Sequence, residues 1–376
     1  MKDIYFISPS LPAVNCGVGD HVHNIVKSIC SIKKNITLKV ITSNNKDIDS
    51  SKSEIYSSSL IRIKKWSIVA FIRLLKSSIK NTSEKIYHYQ YPIRYPVPRS
   101  IPFRVIPFSF ILKIFSNKND KIFITIHEYY KLSRIMKLYK LIELCFVDKI
   151  FVVTEVDKYL LSRFFTRKVE FFQVGSNIYH DTNAIHQKIV KEEKSIIFFG
   201  HIDESKGIKS FIDTIDILIS KGEKINITIL GRFVSKEYES IFKNHFYNLI
   251  EKNKIKFIDY MENKQLGCYL KEFDIGFLPF NEGAAPNRSS LIALLCAGLA
   301  VVTTFKTRIT PSYLIDNHNC LLNQPYDSEG MARSLSSLIN DEQLLSDIKS
   351  NTEKLINKFD WSIGANIISK HYDNIK

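Results

Sequence analysis

The chain has 376 residues, of which 45% are hydrophobic and 24% charged, and its net charge is +15. This composition is that of a folded globular protein longer than one ordinary domain, and it excludes a disordered or fibrous chain. No stretch reaches the roughly eighteen apolar residues of a membrane-spanning helix. The first residues, MKDIYFISPS, enter a strand pattern directly, so we expect no secretory signal.

The cysteine pattern and the distribution of charge indicate the cellular compartment and the kind of partner. The 6 cysteines are scattered singly and form no CxxC pair, which favours a reducing cytoplasm over a disulfide framework or a zinc site. Residues 1–180 hold 29 Lys and Arg against 13 Asp and Glu, which leaves 24 against 25 for the remainder. Positive charge confined to one half indicates an electrostatic partner for that half alone.

Short apolar strand patterns alternate with longer amphipathic ones along the chain. The first series is IYFIS, ITLKVIT, KIYHYQ, KIFITIH, KIFVVT and VEFFQVG. A polar segment at 182–194 interrupts this alternation of patterns. The strand patterns after it are SIIFFG, INITILG, IKFID, DIGFLPF and LAVVTT. Such alternation is typical of parallel sheets covered on both faces. We therefore predict an α/β protein of two Rossmann-like, doubly wound domains, 1–180 and 181–361, facing a cleft.

The loop after the first strand contains two glycines that could let backbone approach a ligand. Gly17 and Gly19 precede Asp20, which lies in the first turn of the following helix. The spacing is not GxGxxG, so a dinucleotide fingerprint is not supported. A simple electrostatic role for Asp20 at the helix N-terminus is the alternative.

Two further strands of the first half end in polar residues. His127 follows the strand KIFITI directly, and Gln90 and Tyr91 end the strand KIYHYQY. Ligands of doubly wound sheets bind outside the carboxyl ends of the strands, so these side chains are candidate site residues. A histidine satisfied within the core is the alternative for His127.

Three strand ends of the second half combine a glycine with a cation. Lys206 lies in FFGHIDESKG, Arg232 in ITILGRF, and Arg288 in NEGAAPNRSSLIALL, where Ser289 and Ser290 follow it. Glycine permits close backbone approach, and cations and helix N-termini attract phosphate. For the third of these strand ends, the alternative is that Ser289 is an N-cap and Arg288 a solvated neighbour. Together the three strand ends predict a phosphate-binding site.

The order of these motifs resembles the retaining family 4 glycosyltransferases of the GT-B architecture over nearly the whole chain. The matching elements are CGVGD, IHE, VGSNI, FFGHIDESKG, ITILG, FLPF with the following EG, and a closing FDW. The resemblance implies a nucleotide-sugar donor held mainly by the C-terminal domain and an acceptor held mainly by the N-terminal domain. It also implies that a helix at 362–376 packs back on the N-terminal domain.

The resemblance assigns roles to the residues at matching positions. Lys206 resembles the family's diphosphate-binding lysine, His127 the residue beside the donor sugar, and Glu282 the first glutamate of an E-x7-E pattern. The candidates form three groups: catalytic His127, Glu282 and Asp20; donor- or phosphate-binding Gly17, Gly19, His201, Lys206, Arg232, Arg288, Ser289 and Ser290; and acceptor-side Gln90 and Tyr91.

Two departures from the family's pattern fall on the donor side. His201 stands where most members have an arginine, and Ser290 occupies the spacing of the second glutamate, which usually holds the ribose. Counting back from Gly298 places Ala293 at that position instead. We hypothesise that Arg288 replaces the arginine lost at 201, and that the two following serines and the helix N-terminus complete a phosphate cradle.

The implied chemistry is a same-face substitution in which the leaving diphosphate helps to deprotonate the acceptor hydroxyl. No glycosidase-type carboxylate pair or DxD motif follows a strand. We therefore expect a retaining hexosyltransferase that requires no metal and no cofactor besides its co-substrate. The implied acceptor is a glycan or a lipid-linked saccharide, as in the assembly of bacterial surface polysaccharide (O-antigen, capsule or lipopolysaccharide). A GT-B-like sugar-nucleotide epimerase or an inactive homologue is the alternative.

Two basic, aromatic segments without acidic residues, 60–80 and 94–118, suit the anionic leaflet of a membrane. We accordingly expect a cytoplasmic protein, peripheral on the inner face of the cytoplasmic membrane. A solvated basic helix is the alternative. Nucleic acid is the competing partner class, but no recognisable RNA- or DNA-binding motif accompanies the charge, so we expect none.

Overall fold

The structure, a computed structural model, describes residues 3–8, 10–11, 17–33, 36–43, 60–63, 72, 84–91, 108–178, 193–252 and 254–373. The chain divides into two compact units. The first comprises Met1–Gly175 and Asp360–Lys376, and the second comprises Ser176–Phe359. The boundary expected from the sequence was 180/181. Among the described residues, no helix combines the length and the apolarity needed to cross a bilayer.

Parallel sheets form the core of both units. The first has seven strands in the order β3-β2-β1-β4-β5-β6-β7, and the second has six in the order β10-β9-β8-β11-β12-β13. The strands are β1 Asp3–Ile7, β2 Thr37–Ser43, β3 Leu60–Ile63, β4 Lys85–Tyr91, β5 Lys121–Ile126, β6 Lys149–Val152, β7 Val169–Phe171, β8 Lys194–Phe199, β9 Ile225–Leu230, β10 Ile255–Ile258, β11 Ile275–Leu278, β12 Ala300–Thr304 and β13 Leu321–Asn323.

Helices cover the sheets and begin at side-chain caps where the sequence supplies them. Ser133, Thr154 and Ser235 each accept a backbone N–H of the first turn that follows. The helices are α1 Gly17–Ile32, α2 Phe108–Phe115, α3 Arg134–Cys145, α4 Glu155–Phe165, α5 Ile208–Ser220, α6 Lys236–His245, α7 Tyr247–Glu251, α8 Asn263–Leu270, α9 Ser289–Cys296, α10 Ser328–Asn340, α11 Glu342–Glu353 and α12 Trp361–Asp373.

The central strands are buried on both faces, because helices lie over both sides of a parallel sheet. Ile4 of β1, for example, pairs in register with Leu38 of β2 and with Ile86 of β4, and all three are buried. The polar residues at the carboxyl ends of these strands therefore project from a rigid edge.

The basic segment 60–80, whose composition is that of an interfacial or a solvated basic helix, begins instead as a strand. Residues 60–63 form β3, where Ile61 pairs with Ile41 of β2 at the edge of the first sheet. The helical interpretation is wrong for these four residues, because the β-branched, alternating LIRI extends the pleated surface of the sheet. The remainder of the segment, apart from residue 72, lies outside the described residues, as do residues 94–107 of the second segment.

The C-terminal helix α12 packs against α1 within the first unit. Tyr372 of α12 lies 2.6 Å from Nδ1 of His88, whose Nε2 lies 2.8 Å from the Thr125 hydroxyl. These bonds connect α12 to β4 and β5. At the other end of α12, Trp361 lies over Gly175, where a Cβ atom would come within 2.6 Å of the indole ring.

Candidate functional site

In the second unit, two glycines bring the ends of β8 and β9 into direct backbone contact. Gly231 has φ +153, and a Cβ on it would lie 1.7 Å from the carbonyl oxygen of Gly200. Gly200 has φ +132, and its own Cβ position lies 3.4 Å from Cβ of Ser290. The open backbone at Gly200 thus faces the first turn of α9.

That first turn is formed by Arg288, Ser289 and Ser290. Arg288 is the N-cap residue, because its backbone is extended (φ −79, ψ 100) and its carbonyl accepts the N–H of Ile292 at 3.1 Å. The alternative N-cap role for Ser289 is therefore wrong, since Ser289 is already helical and is exposed. Ser290 is 5% exposed, and its Oγ lacks a hydrogen-bond partner among the described residues.

Two cations of the second unit meet at one aromatic ring. The Arg288 guanidinium carbon lies 4.9 Å from the ring centroid of Phe280, and the Lys206 ammonium lies 5.3 Å from the same centroid. Arg288 also pairs with Glu282, with its Nη2 at 3.2 Å from a carboxylate oxygen. Side chains from the β8–α5 loop, the β11–α9 loop and the start of α9 therefore form one cluster with two positive charges.

The turn that carries Lys206 is held tightly against the segment after β11. Asp203 accepts the backbone N–H of Lys206 at 3.2 Å, and Asn281 donates to the Glu204 carbonyl at 2.6 Å. Gly207 has φ +76, and a Cβ there would lie 1.6 Å from the Pro279 carbonyl oxygen. Only glycine fits this position, so the backbone beside Lys206 is fixed.

The other two donor-side candidates of this unit lie at the ends of β8 and β9. His201 is exposed. Arg232 lies 3.6 Å from a carboxylate oxygen of Asp259, and its guanidinium lies 5.1 Å from the ring centroid of Tyr260. Arg232 thus contacts the loop after β10.

In the first unit, His127 is placed at the end of β5 by its backbone and its ring. Its N–H donates to the Tyr91 carbonyl at 3.0 Å, and its Nε2 lies 3.1 Å from Oε1 of Gln90. Because a carboxamide oxygen only accepts, Nε2 carries the proton and Nδ1 is left as an acceptor. Burial lowers the pKa of His127 to about 4, so the ring is neutral. His127, Gln90 and Tyr91 therefore form one group.

Asp157 holds the turn that follows His127, a role that the sequence did not predict. Its carboxylate on α4 accepts the backbone N–H groups of Tyr129 at 3.0 Å and Tyr130 at 2.7 Å. Burial raises its pKa to about 6. The TEVD pattern predicts the start of α4, where Thr154 accepts the Asp157 N–H at 3.1 Å. It does not predict that the Asp157 carboxylate bonds to the turn after His127.

Helix α1 contributes a buried histidine beside His127. His21 is 2% exposed, and its ring centroid lies 4.6 Å from that of His127 and 5.2 Å from that of Trp361. Burial, with a smaller contribution from His127, lowers the pKa of His21 well below its usual value. Nothing in the sequence indicated His21 as a candidate residue, although its neighbour Asp20 was one.

The glycines near the start of α1 differ in their surroundings. Gly17 is the exposed first residue of the helix, with open space where a Cβ would lie. Gly19 is buried, and its Cβ position lies 3.2 Å from the backbone of Leu11. Asp20 is partly buried, and its carbonyl accepts the side-chain N–H of Asn24 at 3.0 Å. Gly19 therefore permits the close approach of α1 to the chain after β1.

A buried ion pair on α3 supports Tyr91. Lys140 and Glu143 are both buried and form an ion pair, and the Lys140 ammonium lies 3.4 Å from the ring centroid of Tyr91. Tyr89 donates to the Glu143 carboxylate at 2.8 Å. Burial lowers the pKa of Lys140. The sequence did not mark this pair, because a Lys and a Glu three residues apart are usually solvated.

The second unit is similar to a known family of proteins. Residues 181–355 match the family described as glycosyl transferases group 1. A phosphatidyl-myo-inositol mannosyltransferase of Mycolicibacterium smegmatis is 22% identical over 186 residues, which are 49% of this chain and 46% of that protein. The match thus spans about half the length of the curated relative.

Solved structures share the fold of both units. A glycosyltransferase from Rickettsia africae aligns with a TM-score of 0.76 at 17% identity, over 100% of this chain and 98% of the other. HepE of Anabaena, solved in complex with UDP, aligns at 0.72 with 11% identity over 99% and 100%. Sucrose-phosphate synthase from Thermosynechococcus elongatus aligns at 0.70 with 15% identity over 100% and 99%. The chain therefore has the GT-B fold, and its residues 181–355 match the family model of the group 1 glycosyltransferases.

Proposed function

We propose that this protein is a retaining glycosyltransferase that moves a sugar from a nucleotide-sugar donor to a glycan or lipid-linked acceptor. The observation that carries the proposal is the pair of cations at Phe280, Lys206 and Arg288, within the domain that matches group 1. Two fixed cations beside a helix N-terminus suit a nucleoside diphosphate. Complexes of similarly folded proteins with UDP support the same class of donor.

In this proposal the second unit stabilises the leaving group. As the bond between the anomeric carbon and the diphosphate oxygen breaks, negative charge grows on the diphosphate and is met by Lys206 and Arg288. Ser290 supplies a buried hydroxyl at the same helix terminus. Glu282 orients Arg288 through their ion pair. Because the phosphate-facing groups are cations, we propose that transfer requires no metal.

The acceptor oxygen forms its bond to the anomeric carbon on the face that the leaving group vacates. Its proton passes to a diphosphate oxygen, so no protein nucleophile or general base is required. The neutral ring of His127 presents Nδ1 as an acceptor for a sugar hydroxyl, and Gln90 keeps the ring in that tautomer. Asp20, Gly17 and Gly19 remain proposed contributors from the start of α1.

The direct test is a panel of nucleotide sugars and nucleoside diphosphates in a thermal-shift assay, followed by transfer assays with the donor that stabilises the protein. We expect release of nucleoside diphosphate that depends on an acceptor saccharide and is unchanged by EDTA. Interconversion of donor epimers without acceptor would instead identify an epimerase. Failure of every nucleotide to raise the melting temperature would contradict the proposal.

We further propose that the acceptor is membrane-associated, as for bacterial surface polysaccharides, and that the protein is peripheral on the cytoplasmic face. The excess positive charge of residues 1–180 supports this assignment, because anionic lipid headgroups attract such a domain. Full-length protein should co-sediment with vesicles containing phosphatidylglycerol and remain in solution with pure phosphatidylcholine. Equal binding to both vesicle types would contradict an electrostatic attachment.

A further inference from the structure

Helix α3 of the first unit is inverted relative to an ordinary surface helix. Its buried residues are the charged pair Lys140 and Glu143 and a single apolar residue, Leu144. Its exposed face instead carries Ile135, Leu138 and Ile142, which are 81%, 63% and 51% exposed. Their spacing of three and four residues places them on one side of the helix. A surface helix normally buries its apolar face and solvates its charges, so α3 presents an apolar strip that needs a partner.

The strip continues onto the neighbouring helix α2. The ring of Phe110 on α2 lies 5.1 Å from the ring of Phe146, the residue that follows α3. This contact brings the two helices together. Ile114, one turn after Phe110, is 56% exposed. The α2–α3 face is defined here by Phe110, Ile114, Ile135, Leu138 and Ile142.

The charges around the α2–α3 face are almost entirely positive. Within residues 108–146, Asp120 and Glu143 are buried, and Glu128 pairs with Lys131 at 3.0 Å. The exposed cations of the same segment include Lys113, Lys118 and Arg134. Exposed apolar side chains bordered by cations match the boundary between the headgroups and acyl chains of an anionic bilayer.

We propose that the α2–α3 face docks on an anionic lipid bilayer, with its apolar side chains at the level of the acyl chains and its cations at the phosphates. This inference rests on the proposed function for its biological setting, since a membrane-bound acceptor requires the protein at the same surface. It assigns the attachment to the described residues of α2 and α3.

The test is co-sedimentation of full-length protein with vesicles of equal parts phosphatidylcholine and phosphatidylglycerol. The triple variant Ile135→Ser, Leu138→Ser, Ile142→Ser should bind about tenfold more weakly or worse, because buried apolar area drives insertion. Ile241→Ser is the control for the loss of an exposed isoleucine elsewhere, because Ile241 is 56% exposed and lies on α6 of the second unit. Its binding should equal that of the wild type.

Two results would overturn this assignment: vesicle binding of the triple variant equal to wild type, or a wild-type dimer in light scattering that the triple variant converts to monomer. The second would make the face a contact between copies. Stabilisation by nucleotide sugar, measured without vesicles, should be the same in all these variants. Its absence in the wild type would count against the proposed function and leave the vesicle result standing.

A second and independent observation concerns His21. Both ring nitrogens of His21 are buried and lack a hydrogen-bond partner among the described residues, and so does Nε2 of Gln90. Buried polar atoms without partners destabilise a fold, and those that a protein keeps are often at functional sites. A phenylalanine would fill much the same space without that penalty. The presence of an imidazole beside His127 is therefore not explained by packing.

The rings around His21 place it behind the candidate catalytic residue. Its ring meets that of His127 edge to face, at 4.6 Å and 88°. On its other sides lie Trp361 at 5.2 Å and Phe172 at 5.7 Å. We infer that His21 is a positioning residue: the dipole of its imidazole, which a phenylalanine would lack, fixes the ring plane of His127 relative to the donor sugar. This inference also rests on the proposed function.

The test compares melting temperature with kinetics in His21→Phe. We expect an equal or higher melting temperature together with a kcat about ten- to hundredfold lower, because small misplacement of a reacting group is costly. The donor KM should change little, since the proposed phosphate contacts lie in the second unit. His88→Phe is the contrasting variant, because both nitrogens of that buried histidine are bonded and its loss should lower the melting temperature.

An unchanged kcat in His21→Phe would overturn the positioning role, and so would a melting temperature that falls together with kcat, because the imidazole would then serve the fold. His21→Met, which keeps apolar volume without a ring, provides a second variant if the phenylalanine protein does not fold. It should show the same loss of kcat. A wild-type protein without transferase activity would contradict the proposed function instead.

Discussion

At the scale of single residues, Arg288 is the side chain on which the donor proposal depends most. It is the N-cap of α9, it lies over Phe280 beside Lys206, and it pairs with Glu282. Its side chain is only 15% exposed, so its position is constrained by its neighbours rather than by solvent. An arginine held in this way is prepared to make paired hydrogen bonds to a phosphate.

Arg288→Ala should raise the donor KM and lower kcat together, while stability stays near that of the wild type. Hydrogen bonds to charged groups contribute about 1.5–3 kcal/mol, so we expect kcat/KM to fall about ten- to hundredfold. The lost pair with half-exposed Glu282 and the lost ring contact should cost about 1 kcal/mol of unfolding free energy or less. Steady-state kinetics and urea unfolding measure the two effects.

Arg333→Ala is the control for this charge change, because Arg333 is an exposed arginine on α10. It should leave both kinetics and stability unchanged. If Arg288→Ala instead lost most of its stability while kcat and KM kept their wild-type values, Arg288 would be a structural residue.

At the scale of elements, tight glycine turns position the strand ends of the second unit. Gly207 and Gly222 provide a matched pair, since their φ angles are +76 and +74. A Cβ at Gly222 would meet open space, whereas a Cβ at Gly207 would lie 1.6 Å from the Pro279 carbonyl oxygen. A substitution at Gly222 therefore measures backbone strain alone, whereas one at Gly207 measures backbone strain together with a steric clash.

Gly222→Ala should cost about 1 kcal/mol of unfolding free energy, the usual cost of a side chain in the left-handed region. Gly207→Ala should cost roughly 3 kcal/mol or more, because the β11 segment must also move. It should weaken donor binding as well, since Lys206 is the preceding residue. Urea unfolding and donor titration test both effects, and equal losses in the two variants would show that the close approach at Gly207 is relaxed in solution.

At the scale of the whole molecule, buried titratable groups make the first unit sensitive to acid. Burial lowers the pKa of His88 to about 3 and that of His127 to about 4, and it lowers that of His21 well below its usual value. A depressed histidine pKa gives stability that is present above about pH 6.5 and is lost as the pH falls towards the folded value. Asp157 acts in the opposite sense, because its raised pKa of about 6 adds stability as the pH falls below 6.

Between pH 7 and pH 5 His88 and His127 should each remove about 2 kcal/mol of unfolding free energy, His21 should add to this loss, and Asp157 should return about 1 kcal/mol. We therefore expect the first unit to lose about 3 kcal/mol or more overall. Urea unfolding followed by tryptophan fluorescence measures this unit, because both tryptophans, Trp66 and Trp361, belong to it. His21→Phe should reduce this loss, and an unchanged pH dependence would show that burial does not depress the pKa of His21.

Strand and helix patterns in the sequence are enough to predict two domains built on parallel sheets and to place most candidate residues near the ends of strands. Apolar strand patterns separated by helical ones allow little other than parallel sheets covered on both faces. The carboxyl ends of parallel strands lie at one edge of a sheet, so residues just after a strand can be recognised without coordinates. For this reason His127, Gln90 and Lys206 were identified from the sequence.

Which of these residues meet depends on contacts between segments that are distant in the chain. Lys206 and Arg288 are far apart in the chain, and the ring of Phe280 brings them together because β8 and β11 are neighbours in the sheet. His21 packs against Trp361, which lies on a helix at the other end of the chain, so its surroundings could not be predicted from nearby residues. The inversion of α3 could not be read from its sequence either, because which face a helix buries depends on what packs against it. Local pattern specifies elements, whereas contacts between distant segments specify the sites.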